Sequence, residues 1–379
     1  MKKVLFFFGE LKGGGAEKVL LDIVKYLPVD EYQIKVMLVT DNGVYDEEIK
    51  NHCAYESILH TEQYKSNIAK RLFYSLKYRW IYKCSPDLIY RKYIGNEWDI
   101  VVGFVEGFAT RIIACADSNY VKKVAWVHVD PLEREYADSY FKSLEEQKRA
   151  YGGFDKIVCV SNSVAESFKK KWGIQDKVVT QYNPVDKANI IKKACEPIEI
   201  EKMWQVQFVA SGRLTVQKGF DRLIRIMKRL KQYCHEDFGL IILGQGEEKE
   251  TLEIQTEKEN LKDSVKLLGF KNNPYPYVAM SDLLVCSSRA EGYSLVIAEA
   301  MVLGVGIIST NCSGPNELLD NGKYGLLVNN EEDALYDAML SALQNHEMIN
   351  ELQKKAKERS DWFDVETICR EIKEQILIR

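Results

Sequence analysis

Short continuous apolar runs punctuate the chain, and between them apolar residues recur at helical spacing. The runs fall at residues 4–8, 34–39, 100–104, 124–127 and 157–160. After residue 200 they fall at 206–210, 240–243, 265–268, 283–286, 306–309 and 325–328. Most are unbroken rather than alternating, as parallel strands covered by helices on both faces require. Residues 16–27, 220–230 and 295–303 carry the intervening helical pattern. Two successive strand-helix series predict an α/β protein of two doubly wound, Rossmann-like domains with a cleft between them. The polar stretch 184–203 reads as the linker, which gives domains at 1–190 and 200–361. Residues 362–379 read as a final helix beginning near Trp362. There are no repeats at solenoid periods and no low-complexity tracts.

Composition narrows the class. The 379 residues are 46% hydrophobic and 28% charged, enough to bury real cores, and the formal net charge is −4. A dedicated nucleic-acid binder would be basic overall, so no nucleic acid is expected as a partner. Residues 1–195 carry 30 Lys and Arg against 26 Asp and Glu, whereas the remainder carries 22 against 30. This asymmetry predicts two domains that meet different partners. The nine cysteines are scattered without a CxxC pair, and several sit inside apolar runs, which predicts buried thiols in a reducing compartment. The five histidines are equally dispersed, so no metal site is expected. The apolar run after Met1-Lys2-Lys3 spans only five residues, too few for a secretory leader, and nothing approaches the length of a membrane span. A cytoplasmic protein is expected, free or peripheral on the inner face of a membrane.

Three stretches carry candidate chemistry. The first strand runs into Gly13-Gly14-Gly15-Ala16 at the start of a helix. Such a loop lets backbone amides approach an anion, although a simple flexible turn has the same composition. It is neither a P-loop nor GxGxxG. In the second domain, Ser211-Gly212-Arg213 follows a strand, and Gln217-Lys218-Gly219 precedes a helix. Two cations at the carboxyl end of such a strand can balance a diphosphate, although an isolated Arg and Lys are ordinarily surface charges. The third stretch, from Arg289 to Met301, places Glu291 in a loop and Glu299 inside an apolar helix, where a carboxylate needs a partner. The amides of Gly292, Tyr293, Ser294 and Leu295 open that helix and can receive phosphate. His128 ends a first-domain strand, either to reach the cleft or as a hydrogen-bonded structural residue.

Taken together, these residues resemble the retaining glycosyltransferases of family 4, which have the two-domain GT-B fold and act in bacterial surface polysaccharide and glycan assembly. The resemblance covers nearly the whole chain. It rests on the glycine loop, His128, Gly212-Arg213, Lys218-Gly219, Glu291-x7-Glu299, Gly304 and Gly314-Pro315-Asn316-Glu317. It implies that the first domain binds the acceptor, that the second binds a nucleotide sugar, and that the last helix packs back on the first domain. It further implies that Arg213 and Lys218 hold the diphosphate with amides near Gly14-Gly15 and 292–295. Glu299 would take the ribose and Glu291 the transferred sugar, with His128 near the reacting carbon. No metal or other cofactor is implied, and a UDP-sugar is the favoured donor. The alternatives are another GT-B protein, such as a sugar-nucleotide epimerase, and a non-catalytic nucleotide-sugar-binding subunit.

Residues 63–86 contain no Asp or Glu but hold Lys65, Lys70, Arg71, Lys77, Arg79 and Lys83, interleaved with six aromatics. Ile68, Leu72, Leu76 and Trp80 fall on one side of a helix, with Arg79 among them. Either this helix lies on an anionic membrane near a lipid-linked acceptor, or it simply covers the first sheet; a nucleic acid could attract the same pattern of basic and aromatic residues.

Overall fold

The alternation of apolar runs and helical spacing builds two parallel sheets in the computed structural model, which describes residues 1–64 and 67–377. Lys65 lies outside the described residues. The first sheet contains β1 (Lys2–Phe8), β2 (Tyr32–Thr40), β3 (Ala54–Leu59), β4 (Ile100–Gly103), β5 (Lys122–Val127), β6 (Lys156–Cys159) and β7 (Val178–Thr180), in the order β3-β2-β1-β4-β5-β6-β7. The second contains β8 (Val206–Ser211), β9 (Phe238–Leu243), β10 (Val265–Gly269), β11 (Leu283–Cys286), β12 (Gly306–Thr310) and β13 (Leu326–Val328), in the order β10-β9-β8-β11-β12-β13. Val4 of β1 pairs with both Ile34 of β2 and Ile100 of β4, and Phe208 of β8 with both Leu240 of β9 and Leu283 of β11.

Both sheets change winding direction next to their first strand, between β1 and β4 and between β8 and β11. Helices then cover opposite faces, and the loops leaving those strands part from one another. Ligands bind open α/β sheets at that point, outside the strands' carboxyl ends. The central strands are dry: Val4, Leu5, Phe6 and Phe7 are fully buried, as are Phe208, Val209 and Ala210. The helix Phe220–Tyr233 lays Leu223, Ile224, Met227 and Leu230 on the second core.

The chain divides into a unit of Met1–Pro184 with Val365–Arg379, and a unit of Val185–Asp364. The expected linker is therefore partly structured. Lys187–Ala194 is a helix of the second unit, capped by the Asp186 side chain, which accepts from the Asn189 amide at 3.0 Å. Only Ile190 of that helix is buried, so it carries the polar composition of a linker. The final helix starts at Val365, after a turn at 361–364, rather than at Trp362. It packs on the helix Gly15–Tyr26 of the first unit and buries Ile368 and Cys369, followed by Ile372, Ile376 and Leu377. Lys122, at the start of β5, donates to the Ile376 carbonyl at 2.7 Å.

Candidate functional site

Four loops of the second unit leave the carboxyl ends of β8, β9, β11 and β12 and lock together through glycines. Gly244 after β9 has φ +143°, and a Cβ there would lie 1.9 Å from the Gly212 carbonyl oxygen. A Cβ on Gly246 would lie 2.2 Å from the Leu214 carbonyl oxygen, and one on Gly314 would lie 2.7 Å from the backbone of Gly292 and Tyr293. The Gly314 amide also donates to the Glu291 carbonyl at 2.9 Å. Sequence reading gave no role to Gly244-Gln245-Gly246, which holds the first loop in place by backbone approach alone.

Within this frame Lys218 and Glu291 meet. Lys218 ends a single helical turn, Val216–Lys218, and its ammonium stands 2.8 Å from both carboxylate oxygens of Glu291. Burial by itself would lower the lysine's pKa, but the facing carboxylate outweighs it and the net shift is upward. Lys218 is therefore a fixed cation at neutral pH. The exposed Arg213 lies close enough for its charge to act against that of Lys218. With the Glu291 carboxylate set against Lys218, the nearby Arg213 leaves the cluster with an excess of positive charge, which favours an anionic ligand.

The helix Leu295–Val302 begins at Ser294, which is fully buried with Gly292 and Tyr293 beside it. Glu299 lies in its second turn, where it accepts a hydrogen bond from the Tyr275 hydroxyl at 3.2 Å. This supplies the partner that an acid in an apolar helix requires. Tyr275 opens the short helix Tyr275–Ala279 between β10 and β11, so the side chain of Glu299 is fixed from the segment that precedes β11.

In the first unit the expected residues sit on separate strand ends. His128 follows β5, the glycine loop follows β1, and β4 lies between those strands. Gly14 caps and Gly15 opens the helix Gly15–Tyr26. The amide of Gly13, at φ +98°, donates to the carboxylate of Glu17. That helix N-terminus thus holds an acid of its own chain, which reduces its capacity for an external phosphate. His128 donates from Nε2 to the Phe104 carbonyl at 3.0 Å, leaving Nδ1 as the acceptor of a neutral ring. Burial lowers its pKa to about 4, so the imidazole stays uncharged at neutral pH.

Sequence reading missed Glu106, after β4. Its carboxylate accepts from the His128 amide at 3.1 Å, and burial raises its pKa to about 7 despite that bond. No pattern around Phe104-Val105-Glu106 marks it. Only the pairing of β4 with β5 puts it beneath His128.

The helix Ile68–Lys83 turns its tyrosines inward. Tyr78 packs on Tyr82 with ring centroids 4.6 Å apart, and Tyr82 packs on Phe108 at 4.3 Å. Ile68, Leu72, Phe73, Leu76 and Trp80 are left exposed on the other side, with Arg79 and Lys83 among them. Lys92 lies over the Trp80 ring. Among the described residues no helix is long and apolar enough to cross a membrane.

Two Rossmann-like units with parallel sheets of seven and six strands define the GT-B fold. The family model described as Glycosyl transferases group 1 matches residues 198–359, and that described as Glycosyltransferase Family 4 matches residues 13–189. An uncharacterised glycosyltransferase of Methanocaldococcus jannaschii is 30% identical over 68% of this chain and 72% of its own. The N-acetylgalactosamine-N,N'-diacetylbacillosaminyl-diphospho-undecaprenol 4-alpha-N-acetylgalactosaminyltransferase of Campylobacter jejuni is 28% identical over the whole of both chains. The crystal structure of Anabaena HepE in complex with UDP and glucose shares the fold over all of both chains, with a TM-score of 0.75 at 21% identity. The chain belongs to the family 4 glycosyltransferases.

Proposed function

We propose that this glycosyltransferase moves a hexose or N-acetylhexosamine, with retention of configuration, from a nucleotide sugar to a glycan acceptor. The second unit binds the donor, a UDP-sugar in the favoured reading, and the first binds the acceptor. The observation that carries this is the Lys218–Glu291 pair beside Arg213, at the switch point of the second sheet. As the bond from the anomeric carbon to the phosphate oxygen breaks, positive charge grows on the sugar and negative charge on the diphosphate. Arg213 and Lys218 stabilise the second, and charges fixed in advance act most strongly there. Glu291 takes hydroxyls of the transferred sugar, and Glu299 takes those of the ribose. The amides of 292–295 assist the phosphate, and those near Gly14 and Gly15 contribute less. His128, neutral and with Nδ1 as acceptor, receives a hydroxyl of the donor sugar. The acceptor oxygen attacks from the leaving-group face, and its proton passes to the departing phosphate oxygen, so no further base is needed.

The Campylobacter jejuni relative is named for a diphospho-undecaprenol glycan acceptor. That chemistry supports a lipid-linked acceptor here, in surface glycan assembly at the inner face of the membrane. The exposed apolar stripe of Ile68–Lys83, with its basic residues and no acid, is the surface that would rest on anionic lipid.

Slow UDP release from UDP-sugars, without acceptor, tests the reading. Lys218→Ala should lower it by roughly 10²–10³-fold, the loss typical of one oxyanion-stabilising donor. EDTA should leave the rate unchanged, in keeping with metal-free transfer. UDP at a hundred times its Kd should add ~2.7 kcal/mol of stability, which GDP would not match. A wild-type protein that neither binds nor hydrolyses any UDP- or GDP-sugar would sink the proposal.

A further inference from the structure

The turn that carries Lys218 is held chiefly by another loop. Val216–Lys218 is one turn long, too short to stabilise itself, yet all three of its carbonyls are occupied from the loop 287–290 after β11. The Val216 carbonyl accepts from Nη1 of Arg289 at 2.5 Å, the Gln217 carbonyl from the amide of Arg289 at 2.7 Å, and the Lys218 carbonyl from the hydroxyl of Ser287 at 2.8 Å. In return, Nε2 of Gln217 donates to the Ala290 carbonyl at 2.8 Å. Arg289 thus grips the turn from both its main chain and its side chain. It stands two residues before Glu291, the partner of Lys218.

The guanidinium of Arg289 is itself fixed. It forks onto Asp221 through Nη1–Oδ1 at 2.9 Å and Nη2–Oδ2 at 2.8 Å, a bidentate geometry that sets both distance and plane. Asp221 lies in the first turn of the helix Phe220–Tyr233, directly after the Lys218 turn. Arg225 of that helix donates to Asp221 at 3.1 Å and to Glu332 at 2.9 Å. Burial alone would raise the Asp221 pKa, but the hydrogen bonds and charges of Arg289 and Arg225 hold it below the ordinary carboxylate range. The fork therefore stays charged throughout the neutral range.

We infer that Arg289 and Asp221 are a positioning pair for the donor site, setting where the Lys218 ammonium stands relative to Glu291. This rests on the donor-site reading of Lys218 given above. A cation aimed at developing charge is useful only where it is fixed. A displacement of about 1 Å can cost on the order of 10²-fold, and the fork is what denies Lys218 that freedom.

The test measures UDP release from UDP-N-acetylgalactosamine and UDP-glucose by the full chain, with a melting curve for every variant. Arg289→Ala should lower kcat roughly 10- to 100-fold while KM for the donor moves less than about threefold, because the lost interaction belongs to the transition state. Arg289→Lys keeps the charge but not the fork, and should remain impaired. Asp221→Asn, nearly isosteric, should show a smaller loss in the same direction and keep the assay interpretable if Arg289→Ala folds poorly. In a Lys218→Ala background, Arg289→Ala should cost less than about twofold more, since there is no ammonium left to place. Multiplying losses in the double variant, or full activity in Arg289→Lys, would overturn the inference. A Lys218→Ala variant as active as wild type would instead overturn the donor-site reading on which it rests.

Discussion

Glu106 and His128 show how burial sorts two neighbouring titratable groups into opposite uncharged states. Burial lifts the carboxyl to about 7 and presses the imidazole down to about 4, so near pH 5–6 both are mostly neutral. For Glu106 the sign is set by a folded pKa above the unfolded one. Its stabilising contribution is complete below the unfolded carboxyl's pKa and is lost as pH rises through about 7. Glu106→Gln removes that loss. Melting temperatures across pH 4.5–8 should therefore show the variant gaining on wild type as pH rises, with a plateau above about 7. A difference that is flat with pH would contradict the assigned shift. Lys218 behaves otherwise because its partner is charged: Glu291 restores what burial removes, so the site has no titrating cation in the same range.

At the level of elements, the interior was far more legible than the edges. The unbroken apolar runs all became strands, because a strand buried on both faces has no polar positions. β3 and β7, the edge strands of the first sheet, escaped notice, whereas β10 and β13 at the edges of the second were read. β3 is Ala54-Tyr55-Glu56-Ser57-Ile58-Leu59, broken by polar residues, and β7 is only Val178-Val179-Thr180, too short an apolar run to stand out. The helix Lys187–Ala194 was hidden by its polar surface. In the candidate site only Glu299 stood out by its own chemistry, as an acid inside an apolar helix, whereas Lys218 and Glu291 were singled out by the resemblance to the family. The Arg289–Asp221 fork was not readable, since its members are 68 positions apart and each looks like a surface residue alone. Gly244 was silent as well, as its function is the absence of a side chain. Gly244→Ala should strain the β9 loop through its positive φ and its contact with Gly212. The cost should be of order 1–3 kcal/mol by denaturant titration, with weaker donor binding. The exposed stripe makes the opposite kind of prediction. Leu72→Glu with Leu76→Glu removes apolar side chains from a surface already in water, so the melting temperature should hold within a few degrees. Binding to vesicles containing anionic lipid should fall at least tenfold. Equal partitioning of variant and wild type would leave the helix with only its inner, tyrosine-lined role.

On the scale of the whole molecule, the charge asymmetry follows the units rather than the catalytic groups. The basic excess belongs to the stretch that includes Ile68–Lys83, while the two cations proposed for the diphosphate lie in the acidic half. Net charge therefore bears on the proposed lipid contact and says little about the donor. The first unit also depends on distant chain: Ile368, Cys369, Ile372, Ile376 and Leu377 complete its core from beyond residue 364. At ~1.5–3 kcal/mol for each buried aliphatic side chain, removing 365–379 should cost much of an ordinary domain's stability. Calorimetry of the shortened chain should show the transition of the first unit lowered or lost, while that of residues 185–364 stays in place. Because the chain leaves the first unit at Pro184 and returns at Val365, the order of synthesis and the order of completion are reversed. At ~5–20 residues per second, a ribosome spends roughly ten to forty seconds making the second unit. During that time the first waits without its closing helix, and the region translated first is the last to finish folding.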